Sequence, residues 1–552
     1  MGVIILLAFV LRVIGLGFGL PHVYHQDEPV IVNHAMAIGE RGWNPHFFVI
    51  PSFSIYFLFI LYGIFFVVGH LFGFFADKVQ FGILFLKDPS VFYLIGRFFL
   101  GALFGTATVA ILGKLGQDFF SPVIGRCAAF FLAISLLPAQ HSHYIYADIP
   151  LTFFMTTLLY SLFLIFKKQS NEYFILAGLC LGLATATKYT AVYFVPPILL
   201  AYVQVYKFEG LKAPSLSRVG LFILSALVTY ALMAPYTFLA WTEFLNQIRT
   251  QTGSEAYLGW SHHFVHSILN GTSLPFCALA IGGAAMLFRH WRREFWLCFW
   301  IISLYYAVNV HFSQPFSRYM MPLFPILCLL AALGWDLTQK ALRNSISKKI
   351  LFVAIAASLL LPTLYANHLF LKKDTRDEAL EWMQKNVPAG AVIVVDNRYY
   401  APHLSETKEQ LLDKYSLLEK SDATKRKRLD LMFSANEGKT TYAIYTLMRV
   451  KNQEETPYLF QRPFVAMDIN EFRKIRAEYL IVNYSEYHEE VEGFVREHRA
   501  QLELVKAFSP FFDPKRQRMI DPYSGTSAPD SQADLFSRRQ LGPYLEIYKV
   551  KT

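Results

Sequence analysis

The sequence predicts a polytopic α-helical membrane protein with a C-terminal α/β domain, and three observations predict it. The 552 residues are 54% hydrophobic and 16% aromatic but only 17% charged, and the mean hydropathy is +0.34, outside the range of soluble domains. Apolar runs of bilayer-spanning length, about 20 residues each, recur from the first residues to position 370. After Leu371 the runs stop, and charged helix-like stretches alternate with β-rich ones.

The apolar runs are 2–20, 53–75, 91–113, 121–140, 149–166, 172–187, 190–206, 219–240, 272–289, 294–310, 319–339 and 350–370. The first has no basic leader and no small-residue cleavage site, so it reads as a retained span rather than a signal peptide. Basic clusters at Lys167 and Lys168, at Lys207, Lys212 and Arg218, in "RHWRR" from Arg289, and at Lys340, Arg343, Lys348 and Lys349 fall in every second loop. The positive-inside rule makes those loops cytoplasmic and the loops between them external. Asp148 is then external, and Asp27 as well if the N-terminus is cytoplasmic. An even number of crossings must separate them, whereas three runs lie between. The aromatic-rich "FSIYFLFILYGIFFVVGHLFGFF" at 53–75 is assigned to the interface, leaving about eleven spans plus interfacial helices; the rival reading makes it a true span and needs another crossing near "FGILFL", a run short for that purpose. Domains are expected at 1–370, in the membrane, and 371–552, outside it, the latter carrying the strand signals "AVIVVD", "TTYAIYT", "AEYLIVN" and "YLEIYKV".

The net charge of +10 is explained by these loop clusters, and no nucleic-acid partner is inferred. All five cysteines, Cys127, Cys180, Cys277, Cys298 and Cys328, lie in apolar segments without a CxxC pair, which argues against both a disulfide framework and a thiolate metal site. "NGT" at Asn270 and "NYS" at Asn483 match glycosylation sequons, a pattern frequent by chance.

Ionisable groups at membrane depth are costly and default to function. "HQDEP" places Asp27 and Glu28 where the first span emerges. Asp27 before a proline-containing first turn also fits a helix N-cap, with Glu28 complementing the dipole. "AQHSHYIYADIPLTFF" crowds His141, His143, Tyr144, Tyr146 and Asp148 into one loop, where Asp148 too could be a cap. Two histidines and two acids also offer metal ligands, although no HxxxH or HxxE pair is present. Lys188 in "LATATKYTAVYF" and Arg318 in "HFSQPFSRYMMPLFP" supply cations on the same face. Arg12, inside the first run, is a further candidate, and Arg97 is read as snorkelling to lipid phosphates. Two acids and two cations at one interface suit a substrate with a phosphate head and a hydrocarbon tail, the cations holding the phosphate and a carboxylate taking a proton from an attacking hydroxyl.

"HQDEP", "SHYIYADIPLTFF", "GLATATKY" and "SRYMMPLFP", in this order, resemble the GT-C superfamily of polyprenyl-phosphate-sugar-dependent glycosyltransferases, in its protein O-mannosyltransferase and lipid A aminoarabinose transferase branch (glycosyltransferase family 39-like), over about residues 1–340. The resemblance implies a GT-C-type membrane domain. It implies that a polyprenyl-phosphate-linked sugar passes, with inversion, to a hydroxyl of a protein or glycolipid at the outer face of the plasma (inner) membrane. Asp27 would be the base, Glu28 its motif neighbour, Asp148 the second outer acid, and Lys188 and Arg318 the cations near the donor phosphate, with His143, Tyr189 and Tyr319 accessory. No cofactor would be required, a divalent metal being optional, because a monophosphate leaving group can be neutralised by Lys and Arg. Neither the sugar nor the acceptor is readable, and "ADKVQFGILFLKDPS" has no counterpart in a simple family loop. One alternative, a transporter or flippase of lipid-linked substrates, lacks the inverted repeat and paired broken helices such proteins use; another is a non-catalytic lipid-binding scaffold in which Asp27 merely caps a helix.

Overall fold

The computed structural model describes residues 1–208, 214–251, 260–311, 316–397, 400–416, 423–448, 463–484, 489–518 and 531–551. Each of the twelve apolar runs is helical over most of its length. Among the described residues, seven helices, or eight counting one pair bent by 109° at Ser261–Leu269 and Leu274–His290, are long and apolar enough to cross a membrane. Two of the apolar runs are interrupted. The first helix ends at Val13, and the run at 121–140 divides into Pro122–Ile134 and Leu136–His141.

That second break has a cause in the sequence. Pro138 has no N–H for the carbonyl of Ile134, and Ser135 turns extended, with φ −71° and ψ 132°, so the last carbonyls of Pro122–Ile134 lose their helical donors. Arg12 donates to the carbonyls of Ala133 at 3.1 Å and Leu132 at 3.3 Å, and the Thr363 hydroxyl donates to Ile134 O at 2.8 Å. Arg12 is thus a fully buried helix cap, positively charged at a helix C-terminus, where the dipole favours it.

The loop from Ser142 to Ala147 lies in a groove of glycines. In the long helical stretch Ser90–Phe119, a Cβ on Gly101 would sit 2.1 Å from Ser142 O, one on Gly105 2.3 Å from Ser142 Oγ, and one on Gly96 2.5 Å from Ile145 Cδ1. The π-helical turn Arg97–Leu103 adds a residue to the turn, which lets Gly96 and Gly101, five apart, face the same loop.

Phe53–Leu71 forms one helix long and apolar enough to cross a membrane. Its partners are nevertheless those of the first outer segment: it packs on helix Glu28–Arg41, and Phe65 and Phe66 join Phe75, Phe81 and Phe92 in one aromatic cluster. The "ADKVQFGILFLKDPS" segment forms helix Lys78–Lys87, capped by Asp77, and carries helix Ala423–Ala435 of the C-terminal region on its surface.

Beyond Phe370 the chain forms a sheet of β1 (Val392–Val395), β2 (Ser405–Glu406), β3 (Thr441–Met448), β4 (Phe464–Ala466), β5 (Tyr479–Asn483), β6 (Leu502–Phe508) and β7 (Leu545–Val550). The order is β2-β3-β1-β5-β7-β6, with β4 also on β3. β1 is parallel to β3 and β5, while β7 is antiparallel to β5 and β6. Alternating side chains of β1, β5 and β7 feed two cores, one facing helix Thr375–Asn386 through Ala379, Leu380 and Met383, the other facing Phe472, Val491 and Phe494. Helix Thr375–Asn386 starts beside the first outer segment: Asp377 accepts from the Tyr24 hydroxyl and lies 2.8 Å from His22 Nδ1. β1 therefore runs back towards the membrane part. Past its carboxyl end, the Tyr400 hydroxyl accepts a hydrogen bond from Gln26 Nε2 at 2.8 Å. Asn483 is buried in β5 and donates to Asp396 at 3.2 Å, which removes it as a glycosylation position.

Candidate active site

Asp27 and Asp148 share a cluster with Lys188 and Arg318. Asp27 occupies the N-cap position of helix Glu28–Arg41, yet its side chain makes no cap hydrogen bond. Its Oδ2 instead accepts from the Tyr146 hydroxyl at 2.8 Å and lies 3.6 Å from Arg318 Nη2. Asp148 opens helix Asp148–Lys167 without capping it. Its Oδ1 accepts from Lys188 Nζ at 2.7 Å, and its Oδ2 lies 3.8 Å from Arg318 Nε. The capping explanation of both acids therefore fails, since each carboxylate is directed to a residue from another element.

The cations are placed by broken helices. Lys188 is the extended residue that ends helix Asn171–Thr187, before the 3-10 turn Tyr189–Phe194. Arg318 sits in the 3-10 turn Ser317–Leu323 containing Pro322. Rings surround both: Lys188 Nζ is 4.3 Å from the Tyr319 centroid, and the Arg318 guanidinium is 3.8 Å from Phe316 and 4.5 Å from Tyr146, contacts that favour a desolvated cation.

Exposure separates the two acids. Asp27 is 39% exposed and Asp148 1%. Asp148 Oδ2 and Arg318 Nε are buried without a hydrogen-bond partner, too far apart at 3.8 Å to satisfy each other. Each is a buried charged atom with unfilled hydrogen-bonding capacity, which sets this cluster apart from a satisfied structural ion pair. Burial pushes the Tyr146 phenol well above its ordinary pKa, which keeps it a hydrogen-bond donor to Asp27.

Glu28 and Arg97 form a separate unit. Both are 0% exposed, with Arg97 Nε 2.8 Å and Nη2 2.7 Å from the two Glu28 oxygens. Arg97 also donates to Leu16 O and Phe18 O, and Glu28 accepts from the Ile145 amide at 3.0 Å. The snorkelling expectation for Arg97 is overturned, because the side chain is buried in protein. Glu28 has its oxygens filled by these donors, so it fixes the loop next to Tyr146. His143 is likewise structural: its Nε2 lies 2.9 Å from Ile14 O and its ring stacks on Phe370. Tyr189 donates to Phe48 O at 3.1 Å, tying the first outer segment to the Lys188 turn, while Tyr319 lies under the Lys188 ammonium. Tyr146, which sequence reasoning counted only among a crowd of loop residues, is the direct partner of Asp27. Its signal was its position two residues before Asp148. Among the described residues no group of three or more His, Cys, Asp or Glu side chains is arranged to hold a metal.

Residues 94–241 match the family described as dolichyl-phosphate-mannose-protein mannosyltransferase. No curated protein sequence matches the chain. Among solved structures, the chain is similar to ArnT from Cupriavidus metallidurans bound to undecaprenyl phosphate, with TM-score 0.52 and 13% identity over 99% of this chain and 97% of that one. The apo state of the same protein gives TM-score 0.52 and 14% identity over 91% and 95%. The Archaeoglobus fulgidus oligosaccharyltransferase gives TM-score 0.48 and 13% identity over 92% and 72%. The fold is that of these ArnT structures, a multi-span helical membrane part followed by a C-terminal α/β region. Within that class, the chain resembles the polyprenyl-phosphate-sugar-dependent glycosyltransferases of the protein O-mannosyltransferase and ArnT group, as its sequence motifs imply.

Proposed function

We propose that this protein is an inverting glycosyltransferase that moves a sugar from a polyprenyl-phosphate donor to a hydroxyl acceptor, protein or glycolipid, at the extracytoplasmic face of the plasma (inner) membrane. The observation that carries the reading is the convergence of Asp27, Asp148, Lys188 and Arg318, with Asp27 alone among the two acids open to solvent. In the proposed reaction Asp27 accepts the proton of the acceptor hydroxyl as its oxygen attacks the anomeric carbon, opposite the phosphate. The C–O bond to the phosphate breaks with its electron pair remaining on polyprenyl phosphate. Lys188 and Arg318 stabilise the charge that develops there, and Asp148 holds both cations in place before the donor arrives. Two fixed cations suffice for a monophosphate, so the reaction proposed needs no divalent metal.

A shared site for Asp27 and Asp148 implies an even number of crossings between them. Ser90–Phe119 crosses once and the broken pair within 122–141 returns, so helix Phe53–Leu71 lies on the outer side in this reading, and the C-terminal domain lies there too, hydrogen-bonded to Gln26.

The test is transfer of radiolabel from polyprenyl-phosphate sugars in membranes containing wild type or Asp27→Asn. Label leaves the lipid only with wild type, and EDTA does not stop it. Equal release by the variant would refute the base. Movement of intact lipid-linked sugar without cleavage would instead identify a transporter.

A further inference from the structure

The C-terminal domain contains a polar cleft that the transfer step does not use. A volume of about 470 Å³ opens against strands β6 and β7 and helix Glu489–Glu497, lined by Tyr484, Tyr548, Glu546, Leu504, Arg496 and Arg499 among others, within the size range of ligand sites. Its floor is Glu546, 5% exposed, whose carboxylate accepts from the hydroxyls of Tyr484 at 2.7 Å, Tyr548 at 2.5 Å and Tyr544 at 3.2 Å. Each phenol has a single proton, and here it is committed to Glu546. The phenolic oxygens of Tyr484 and Tyr548 therefore offer only lone pairs to the cleft and select groups that donate, such as hydroxyls. Burial and the Glu546 charge hold these phenols above their ordinary pKa, so the arrangement persists across physiological pH.

The rim has the opposite character. Arg496 and Arg499 are exposed, and among the described residues neither has an ion pair, whereas the neighbouring Glu492 is taken by Arg518. Acceptor oxygens on the floor with unpaired guanidinium groups on the rim complement a ligand that has both hydroxyls and negative charge. The cleft is also well placed. Tyr484 follows the carboxyl end of β5, which is parallel to β1, and beyond the β1 end Tyr400 is hydrogen-bonded to Gln26, the neighbour of Asp27. From Tyr484 at that end, the cleft runs along β7 and β6 to Leu504 and Leu502, level with the amino end of β5.

We propose that this cleft binds an anionic saccharide, its hydroxyls on Tyr484 and Tyr548 and its phosphate or carboxylate on Arg496 and Arg499. That the saccharide belongs to the acceptor rests on the transferase reading; the binding itself does not. The test is calorimetric titration of the full chain in detergent with trigalacturonate, mannose 6-phosphate and, as the neutral control, maltotriose. At least one anionic probe binds about tenfold more tightly than maltotriose, and the double variant Arg496→Ala/Arg499→Ala, which changes only exposed side chains, loses about that factor. The stronger of the two anionic probes distinguishes carboxylate from phosphate. Tyr548→Phe weakens binding of the same probe. Equal affinity for maltotriose, no binding of either anionic probe, or binding indifferent to the double arginine variant would each overturn the site. Asp27→Asn keeps this binding whatever its effect on transfer, so failure of the transferase reading and failure of the cleft give different results.

Discussion

Lys188 Nζ lies 2.7 Å from Asp148 Oδ1, with the carboxylate 1% exposed and the lysine 18%. A buried pair of this kind gains little net stability when intact, but removing one member leaves the other charge uncompensated, at a cost of about 3–5 kcal/mol. Asp148→Asn and Lys188→Met should each lower the melting temperature of the detergent-purified protein. The double variant should be less destabilised than the sum of the two, because neither charge is then stranded. Additive losses would show that the pair is not coupled. Arg318, near both acids, tempers the effect of losing Lys188 but not of losing Asp148, so the aspartate variant should be the worse of the two.

Adjacent acids have separate fates. Asp27→Asn should lower transfer by about 10²–10⁴-fold, the usual contribution of a general base, with little change in melting temperature, since Asp27 is 39% exposed. Glu28→Gln removes the charge facing buried Arg97 and should destabilise the fold by about 3 kcal/mol, while the folded fraction keeps its transfer rate to within about tenfold. Measuring rate per folded molecule separates the two. A Glu28→Gln protein with normal melting and the activity loss of Asp27→Asn would make Glu28 a catalytic group.

The distinction between these neighbours marks the limit of what the sequence could reveal. Asp27, Asp148, Lys188 and Arg318 were legible because a charged residue at the end of an apolar run is costly enough to demand a reason, and alternating basic loops put all four on one face. Two acids one residue apart are chemically alike in one dimension. They differ only because Arg97, remote in sequence, fills one of them, and that contact depends on the π-helical turn and its glycines. Arg12 misled for a related reason: its partners are carbonyls exposed by a break at Pro138, and an apolar run does not announce where its helix stops. The strands of the C-terminal domain were legible from β-rich composition. Their order was not, since β1 pairs with β3 and β5 across long intervening segments.

Tyr146 offers a test of positioning. Its hydroxyl holds Asp27 Oδ2 at 2.8 Å, and its ring lies against the Arg318 guanidinium. Tyr146→Phe keeps the ring contact and removes only the hydrogen bond, worth about 1.5–3 kcal/mol when the acceptor is charged. kcat should fall about tenfold with the KM for donor unchanged. A rise in donor KM at constant kcat would assign the tyrosine to the phosphate site instead.

His25 links the same loop to pH. It is packed against Tyr144 and Tyr146, and burial, opposed by Asp27 and Glu28, depresses its pKa from 6.5 to about 4. The Asp27 amide donates to His25 Nδ1 at 3.3 Å, which requires that nitrogen to be unprotonated. In the unfolded chain the imidazole takes up a proton near 6.5, whereas in the folded chain it does so only near 4. Below 6.5 the unfolded state therefore binds more protons, and this contribution to stability, complete above 6.5, is lost as the pH falls towards 4. Melting temperatures of wild type and His25→Gln, compared between pH 4 and 8, should converge as the solution is acidified, the variant lacking this component of the decline. An identical pH dependence in the two proteins would exclude His25 as its source.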